Sequence, residues 1–295
     1  MSFIRPLVLV AASVFAFASL ALPARAQTSE SAMRLMTFNV RLATPSDGAN
    51  AWEHRKEFAR DVVEEFDPHI LGVQEALQTQ LDFLTAELPH RASIGEARGG
   101  GGKDEYSAII YDTQRLQALD SDTFWLSDTP GEPSMSWGNR YLRICTWARF
   151  RDRDSGACFH VFNTHLDHES ENARLRGIEL ILQRIREREH AEPFFLMGDF
   201  NAGEAGEPVR LITSQAQEHG ARALPTLVDT FRVRHPDETR VGTCHAFTGT
   251  DDGRKIDSIF APAGIEVLSA EIIREKRDGR HPSDHFPVTA VVRLP

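Results

Sequence analysis

Polar side chains that can bind a metal ion or transfer a proton stand where apolar segments of this sequence end. The segment FFLMGDFNAGE, residues 194–204, passes directly from apolar residues to Asp199 and Asn201. The same change occurs at six other positions: Asn39, Glu75, His165, Asp257, Asp284 and His285. If the strands that carry these residues end at one edge of the fold, their side chains meet in a single cleft. We therefore expect a site built from carboxylates, amides and imidazoles.

Three carboxylates of this set have no lysine near them in the sequence, and carboxylates that are buried together repel one another. A divalent cation would join them. Hard oxygen ligands, with Glu75 first and Asn39 and Asp284 beside it, suit Mg²⁺, with Mn²⁺ as the alternative. Zn²⁺ is disfavoured because the sequence has neither an HExxH segment nor paired cysteines. His165 and His285 are then left for proton transfer or transition-state stabilisation.

Short apolar runs bounded by turn residues predict nine strands: LMTFNV, ILGVQE, YSAIIYD, TFWLS, ICTWARF, CFHVFNTH, FFLMGDF, IDSIF and PVTAVVRL. Amphipathic spacing predicts helices over residues 52–66 and 175–185. Many of the strands are apolar at nearly every position, which is typical of strands covered on both faces. The mixture favours an α/β (α+β) fold in which two sheets pack face to face, with helices on their outer sides.

The N-terminus has the pattern of a secretory signal peptide. Arg5 precedes an apolar run over residues 7–22, and Ala24, Arg25 and Ala26 follow as a small-x-small cleavage site. We predict a signal peptide over residues 1–26, cleavage after Ala26, and a secreted or periplasmic single domain over residues 27–295, with a retained anchor as the alternative. No later segment is apolar for the length that a membrane span needs.

The charge of the chain argues against high affinity for long duplex DNA. The formal net charge is −10, and loss of Arg5 and Arg25 with the signal peptide makes it −12. Tight duplex binding needs a basic face that releases counterions. Cys145 and Cys158 are predicted on two arms of one hairpin, several residues out of register, so a disulfide between them is left open. Cys244 is predicted to be a small buried residue.

The blocks TFNV, LGVQE, NTHLDH, GDFN, KIDSIF and SDHFPV occur in that order and resemble the six signature blocks of the endonuclease/exonuclease/phosphatase superfamily, which has the deoxyribonuclease-I-like fold. The resemblance spans residues 33–294. It implies a four-layer helix-sheet-sheet-helix sandwich and metal-assisted hydrolysis of a phosphate ester. It also implies that Glu75 is the main metal ligand, with Asn39 and Asp284 supporting the ion or its waters.

The resemblance implies catalytic roles for five residues. Asp199 orients or deprotonates the attacking water, and Asn201 holds a phosphoryl oxygen. His285 contacts the phosphoryl group while Asp257 fixes its tautomer. His165 serves the leaving group or a second phosphoryl oxygen.

Weaker local similarity adds residues around this set. Glu105 is predicted to be the partner of His165. Arg143 matches a phosphate-holding arginine by the same similarity. Apart from that similarity, three more residues are predicted from their positions in the sequence to contact substrate: Arg174, His245 and Trp125. For Trp125, packing in the core is an equal alternative. The glycine-rich segment 97–105 does not match a phosphate-binding P-loop and is predicted to be a surface loop, with a flap over the cleft as its functional variant.

The sequence thus predicts an exported, metal-dependent phosphoesterase that attacks a phosphate mono- or diester with water. Two other enzyme classes are kept as alternatives: a secreted endonuclease or exonuclease, and a phospholipid or sphingomyelin phosphodiesterase. Nucleic acid is therefore an alternative partner but not the favoured one, and no protein partner is implied. A binding module without activity is disfavoured because every position expected to do chemistry carries a competent side chain.

Overall fold

A computed structural model of the chain describes Met1 and residues 32–214 and 223–295. The predicted signal peptide, its cleavage after Ala26 and the predicted start of the domain at residue 27 lie outside the described residues. Among the helices that are described, none combines the length and the apolar character needed to cross a membrane.

Twelve strands, five α-helices and one 3-10 helix are present in the described residues. The strands are β1 (Ala32–Asn39), β2 (Ile70–Gln74), β3 (Arg91–Ile94), β4 (Ile109–Asp112), β5 (Leu116–Trp125), β6 (Ile144–Asp152), β7 (Cys158–His165), β8 (Phe194–Asp199), β9 (Leu227–Asp229), β10 (Asp257–Pro262), β11 (Glu266–Ile272) and β12 (Val288–Arg293). The helices are the 3-10 helix Pro45–Asn50, α1 (Trp52–Phe66), α2 (Gln78–Glu87), α3 (Glu171–Glu187), α4 (Glu207–Thr213) and α5 (Thr230–Arg234).

The strands form two six-stranded sheets. The first sheet has the order β11-β12-β1-β2-β4-β3, and the second has the order β5-β6-β7-β8-β10-β9. In each sheet one central pair is parallel, β1 with β2 and β7 with β8, while the neighbouring pairs are antiparallel. The two sheets thus have corresponding central pairs.

Three apolar cores separate four layers. The largest lies between the sheets and contains side chains from both, including Leu35, Phe150 and Val288. A second core packs α3 and α4 on the outer face of the β7–β8 sheet, and a third packs α1 and α2 on the outer face of the β1–β2 sheet. The predicted four-layer sandwich is therefore confirmed.

A buried polar contact ties the sheets together beneath their common edge. Gln74 Nε2 donates to Asn163 Oδ1 at 2.7 Å, and Asn163 Nδ2 donates to the carbonyls of Val73 and Ala108 at 2.9 and 2.8 Å. At Gly72 a Cβ would lie 2.8 Å from Asn163 Oδ1, so the glycine permits this close approach. The contact fixes one sheet relative to the other.

The predicted strands all correspond to observed ones, and three short strands were missed. Strands β3, β9 and β11 have 4, 3 and 7 residues, and β3 and β11 are exposed or half-buried at most positions. Cys145 faces Thr164 and Cys158 faces Arg151 in the β6–β7 register, so both thiols are free. The prediction of a buried Cys244 is wrong, because this cysteine is exposed.

Candidate active site

Strand pairing brings the predicted polar residues to one edge. In the parallel pairs, Asn39 is opposite Gln74, the residue before Glu75, and His165 is opposite Asp199. Strand β10 runs antiparallel to β8 and begins at this edge with Asp257, which is also opposite Asp199. Because the carboxyl ends of parallel strands share an edge, chemistry-bearing residues from both sheets converge there.

A cleft of about 640 Å³ lies at this edge. Its walls include Arg41, Leu42, Ala43, Thr44, Glu75, Leu77, Arg98, Lys103, Asp104, Glu105, Tyr141, Arg143, His165, His168, Asp199, Asn201 and His285. The volume is in the range of small-molecule sites. The loop of residues 97–105, predicted as a surface loop or flap, supplies Arg98, Lys103, Asp104 and Glu105.

His285 and Asp199 line the cleft, and Asp257 lies behind them in hydrogen-bond contact with His285. His285 Nδ1 lies 2.9 Å from Asp257 Oδ2 and 3.8 Å from Asp199 Oδ2. The Asp199 carboxylate also accepts from the backbone N–H of Asn201 at 2.9 Å and from Asn39 Nδ2 at 3.0 Å. Asp257, Asp199 and His285 are each at least nine-tenths buried, so their relative positions are constrained by packing.

The electrostatics of this group assign different protonation states to its members. Burial raises the pKa of Asp199 above the ordinary aspartate value, and the nearby Asp257 charge raises it further. Burial alone would lower the pKa of His285, but the hydrogen-bonded Asp257 carboxylate outweighs it and holds that pKa well above the ordinary value. His285 is therefore the cation of the group, and Asp199 is the carboxylate most ready to accept a proton.

Glu75 faces Asn39 across the parallel strand pair. Asn39 Nδ2 donates to Glu75 Oε1 at 3.0 Å, and the backbone N–H of Leu42 donates to Glu75 Oε2 at 3.1 Å. Burial opposes the charged form of Glu75, yet these donors and His285 keep its pKa below the ordinary value. Glu75 is thus held as a carboxylate at the cleft wall.

Asp284 lies on the same side as Glu75, with Arg41 close to both carboxylates. Arg41 Nε is 3.8 Å from Asp284 Oδ2, and Arg41 Nη1 is 3.9 Å from Glu75 Oε2. The short contacts of Arg41 are instead to Asp47, at 3.0 and 2.9 Å. Burial and then repulsion from Glu75 raise the pKa of Asp284, against the opposing effect of His285. The negative charge of this pair is therefore only partly compensated.

Three residues of the cleft have a left-handed backbone, which is uncommon for side chains other than glycine. Their φ angles are 56° at Arg41, 61° at Glu75 and 48° at Asn201. Each follows the end of a strand and turns its side chain into the cleft, and such conformations cluster at functional sites because the surrounding structure must enforce them.

His165 and Arg143 line the side of the cleft away from Glu75. His165 Nε2 is 3.5 Å from Asp199 Oδ2, and burial followed by the charge of Arg143 lowers the pKa of His165 well below its ordinary value. Arg143 is 4% exposed and contacts His168 Nδ1 through Nη2 at 3.0 Å. A neutral imidazole and a fixed guanidinium thus face the same space.

The model of the Endonuclease/Exonuclease/phosphatase family matches residues 36–285, which include every residue of this cleft. The chain belongs to this family. A solved family member from Bacteroides vulgatus is 33% identical, with a TM-score of 0.80 over 90% of this chain and 99% of that one.

Two further comparisons concern other members. The mannosyl-6-phosphatase of Bacteroides thetaiotaomicron is 29% identical, with a TM-score of 0.80 over 89% of this chain and 100% of that one. An uncharacterized protein of Acanthamoeba polyphaga mimivirus is 28% identical over 162 residues, which are 52% of this chain and 60% of the viral protein. The alignment thus spans less than two thirds of the curated relative.

Residues of the signature blocks lie together at this edge, while residues outside those blocks make other contacts. Glu105 lines the cleft but bonds Arg98 through both oxygens, at 2.8 and 2.7 Å, instead of His165. The prediction that Glu105 is the direct partner of His165 is therefore wrong. Asn201 lines the cleft, and its Nδ2 donates to the carbonyl of Leu166 at 3.0 Å.

Three of the four predicted substrate contacts lie outside the cleft walls. Trp125 is 5% exposed and its Nε1 donates to the carbonyl of Arg98 at 2.6 Å, so it supports the loop from behind. His245 is 3% exposed and stacks on Phe286 with ring centroids 4.0 Å apart. Arg174 faces a neighbouring cavity. Arg143 is the one of the four that lines the cleft.

Sequence reasoning missed Arg41 and Tyr141. Arg41 follows Asn39 by two positions, and the left-handed turn between them could not be read from the sequence. Tyr141 is 42% exposed and stacks on His168 with ring centroids 5.7 Å apart, beside the guanidinium of Arg98. Its position two residues before Arg143 was the available signal, because alternate residues of an extended chain share a face.

Proposed function

We propose that this protein is an exported, divalent-metal-dependent hydrolase of small phosphate esters, with phosphomonoesters preferred. The observation that carries the proposal is the buried group of His285, Asp199 and the supporting Asp257, of which His285 and Asp199 line the same cleft as Glu75. A cationic imidazole, a proton-accepting carboxylate and a separate set of hard oxygen atoms are the components that phosphoryl transfer to water requires.

The donor set fits Mg²⁺ or Mn²⁺. Glu75 and Asp284 both present half-buried carboxylate groups whose nearest cationic nitrogen atoms, on Arg41, are 3.9 and 3.8 Å away. Asp199, Asp257 and His285 also lie close enough together to hold an ion, but the 2.9 Å hydrogen bond between His285 and Asp257 explains that proximity. Glu75 and Asp284 would therefore bind the cation, which supplies charge stabilisation to the phosphoryl oxygens.

The other side chains at the cleft supply proton transfer and hydrogen bonds to the phosphoryl group. Asp199 accepts a proton from the attacking water, which the raised pKa of its carboxyl group favours. His285 donates a hydrogen bond to a phosphoryl oxygen, and Asp257 keeps its imidazole oriented. Arg143 contacts a second phosphoryl oxygen, and neutral His165 donates its N–H toward the leaving-group oxygen.

The preference for a small ester is supported by the cleft and by one relative. A volume of about 640 Å³ accommodates a sugar phosphate. Lys103 and Arg143 also line the cleft, and cations there suit the second negative charge of a monoester. The relative from Bacteroides thetaiotaomicron is a mannosyl-6-phosphatase. Export is supported by the signal-peptide pattern of residues 1–26.

The test is a comparison of substrate classes with one purified protein. A hexose 6-phosphate, a phosphodiester, plasmid DNA and sphingomyelin vesicles are each incubated with Mg²⁺, with Mn²⁺ and with a chelator. We expect the monoester to be hydrolysed fastest, and chelation to abolish the activity. Preferential cleavage of plasmid DNA would instead establish the secreted nuclease, and preferential release of phosphocholine the lipid phosphodiesterase. Hydrolysis that persists in chelator would refute the metal dependence.

A further inference from the structure

A second cavity of about 340 Å³ adjoins the catalytic cleft. Its walls include Glu171, Arg174, Ala202, Gly203, Glu204, Ala205, Gly206, Pro208, Val241, Gly253, Arg254 and Lys255. None of the metal, acid-base or phosphate-binding roles proposed above uses it. Arg174, predicted from the sequence to contact substrate, opens into this cavity and not into the cleft.

Only one loop separates the two spaces. Asn201, a wall of the catalytic cleft, donates through Nδ2 to the carbonyl of Leu166 at 3.0 Å. Arg174, a wall of the second cavity, donates through Nη1 to the next carbonyl, that of Asp167, at 2.9 Å. The two spaces therefore lie on either side of the 166–167 backbone.

The second cavity has two cations that the protein does not neutralise. Glu204 is held by Arg232 through two hydrogen bonds, and Lys255 is held by Asp229 at 2.5 Å. By contrast, no ion pair joins Arg174 or Arg254 to a carboxylate within the described part of the chain. The Nε of Arg174 is in addition buried without a hydrogen-bond partner in the same part of the chain. Among the described residues, Glu171 is the one carboxylate of the cavity wall without an ion pair, and its charge repels a bound anion.

The segment that carries Arg254 is held in place. The N–H of Thr243 donates to the carbonyl of Arg254 at 3.2 Å, and the N–H of Gly242 donates to the carbonyl of Asp251 at 2.9 Å. The Arg254 side chain lies along the backbone at Gly203, where a Cβ would be 3.1 Å from its Cδ. The backbone and the aliphatic part of Arg254 are therefore held at the wall of the cavity.

We propose that this cavity is a second anion subsite, in which Arg174 and Arg254 bind a second phosphate of the substrate whose scissile phosphate lies in the cleft. The proposal rests on the proposed phosphoesterase function. A planar guanidinium matches two oxygens of a phosphate group, and two guanidinium groups lining one cavity suit a dianion. A bisphosphorylated sugar and a short oligonucleotide both offer this chemistry, and separate arms of the test distinguish them.

The experiment measures kcat and KM for matched substrates with and without a second phosphate. The pairs are a hexose 6-phosphate with the corresponding 1,6-bisphosphate, and a mononucleotide with a dinucleotide that has a terminal phosphate. We expect Arg174→Gln and Arg254→Gln each to raise KM for the substrates with two phosphates about 10-fold, with kcat unchanged. KM for the substrates with one phosphate should stay within about 2-fold. Of the two substrates that carry two phosphates, the one whose KM rises more in these variants identifies the natural class of substrate.

Two further variants complete the test: one is expected to change KM in the opposite direction, and the other is a control. Glu171→Gln removes the unpaired carboxylate and should lower KM for the bisphosphate. Arg176→Gln, on the same helix but paired with Glu179 and outside the cavity, should leave both substrates unchanged. Equal changes for the substrates with one and with two phosphates, or no change in Arg254→Gln, would overturn the proposal.

The subsite and the proposed function can fail separately. If the wild type hydrolyses none of the esters, the phosphoesterase proposal is wrong, and calorimetric titration with pyrophosphate in chelator still tests the cavity. About 10-fold weaker pyrophosphate binding by Arg254→Gln than by wild type would support an anion site there. Identical titration curves for the two proteins would exclude it.

Discussion

His285 Nδ1 and Asp257 Oδ2 lie 2.9 Å apart, although the two residues are 28 positions apart in the sequence. The hydrogen bond fixes the direction in which the other ring nitrogen points, and the carboxylate raises the pKa of the imidazole well above its ordinary value against the effect of burial. Both effects should be lost when the carboxylate is replaced by an amide.

We therefore predict that Asp257→Asn lowers kcat about 10- to 100-fold. KM should change much less, because Asp257 does not line the cleft. Steady-state kinetics on a hexose phosphate would measure both constants. Asp252→Asn, an exposed change on the loop before β10, is the control. An unchanged kcat in Asp257→Asn would show that the orientation of His285 does not matter for the reaction.

The roles of Glu75 and Glu105 can be separated by their response to metal. Glu75 has only hydrogen-bond donors as short contacts, whereas Glu105 is bonded twice by Arg98. Glu75→Gln should shift the half-saturating Mg²⁺ concentration upward by at least about 10-fold, because a carboxylate ligand is lost. Glu105→Gln should leave it unchanged. Activity titrations with Mg²⁺ would measure both shifts, and equal shifts would remove Glu75 from the metal site.

The sequence predicted the floor of the cleft because the floor is built from strand ends. Because β1 pairs in parallel with β2, and β7 with β8, Asn39 and Glu75 lie at the carboxyl end of one pair, and His165 and Asp199 lie at that of the other. The apolar runs placed these residues at strand ends. The packing of the two sheets brings the two pairs together, as the 3.0 Å hydrogen bond from Asn39 Nδ2 to Asp199 Oδ2 shows.

The walls of the cleft were predicted less well because they come from loops. Whether Trp125 turns to the cleft or to the core depends on the path of the loop containing Arg98, to which its indole donates. His245 stacks on Phe286 because the segment before β10 folds back against the residue after His285. Such contacts between distant loops leave no periodic pattern in the sequence.

Tyr141 offers a test of the leaving-group side of the cleft. Its ring is 42% exposed and stacks on His168, whose Nδ1 contacts Arg143. We predict that Tyr141→Ala raises KM for a hexose phosphate about 5- to 10-fold, because the sugar ring loses an aromatic surface. For glycerol phosphate, which has no ring, KM should not change, and Tyr141→Phe should behave as wild type. Equal effects on both substrates would argue against stacking.

Gly198, next to Asp199, should tolerate no side chain. Its φ is +142°, and a Cβ there would lie 2.0 Å from the carbonyl oxygen of Thr164 on the adjacent strand. We predict that Gly198→Ala lowers the free energy of unfolding by about 3 kcal/mol or more. Gly156→Ala has a positive φ but open space around its Cβ, so it should cost about 1 kcal/mol. Urea unfolding would compare them, and equal losses would show that the strands can separate at Gly198.

His160 should make stability fall as the pH is lowered. It is 2% exposed, with its ring beside Trp147 and Phe162, and burial followed by the charge of Arg188 lowers its pKa to about 4. The unfolded chain takes up this proton near pH 6.5, before the folded protein does, so the stability contribution is present above pH 6.5 and is lost towards pH 4.

His160→Phe keeps an aromatic ring between Trp147 and Phe162 and removes the titrating group. We predict that the free energy of unfolding of the variant depends less on pH between 6.5 and 4, by at most about 1.4 kcal/mol per pH unit. Urea unfolding at a series of pH values would measure both slopes. His69, whose pKa burial also lowers to about 4, stays in the variant and accounts for part of the remaining slope. Parallel curves for the two proteins would mean that His160 titrates alike in the folded and unfolded states.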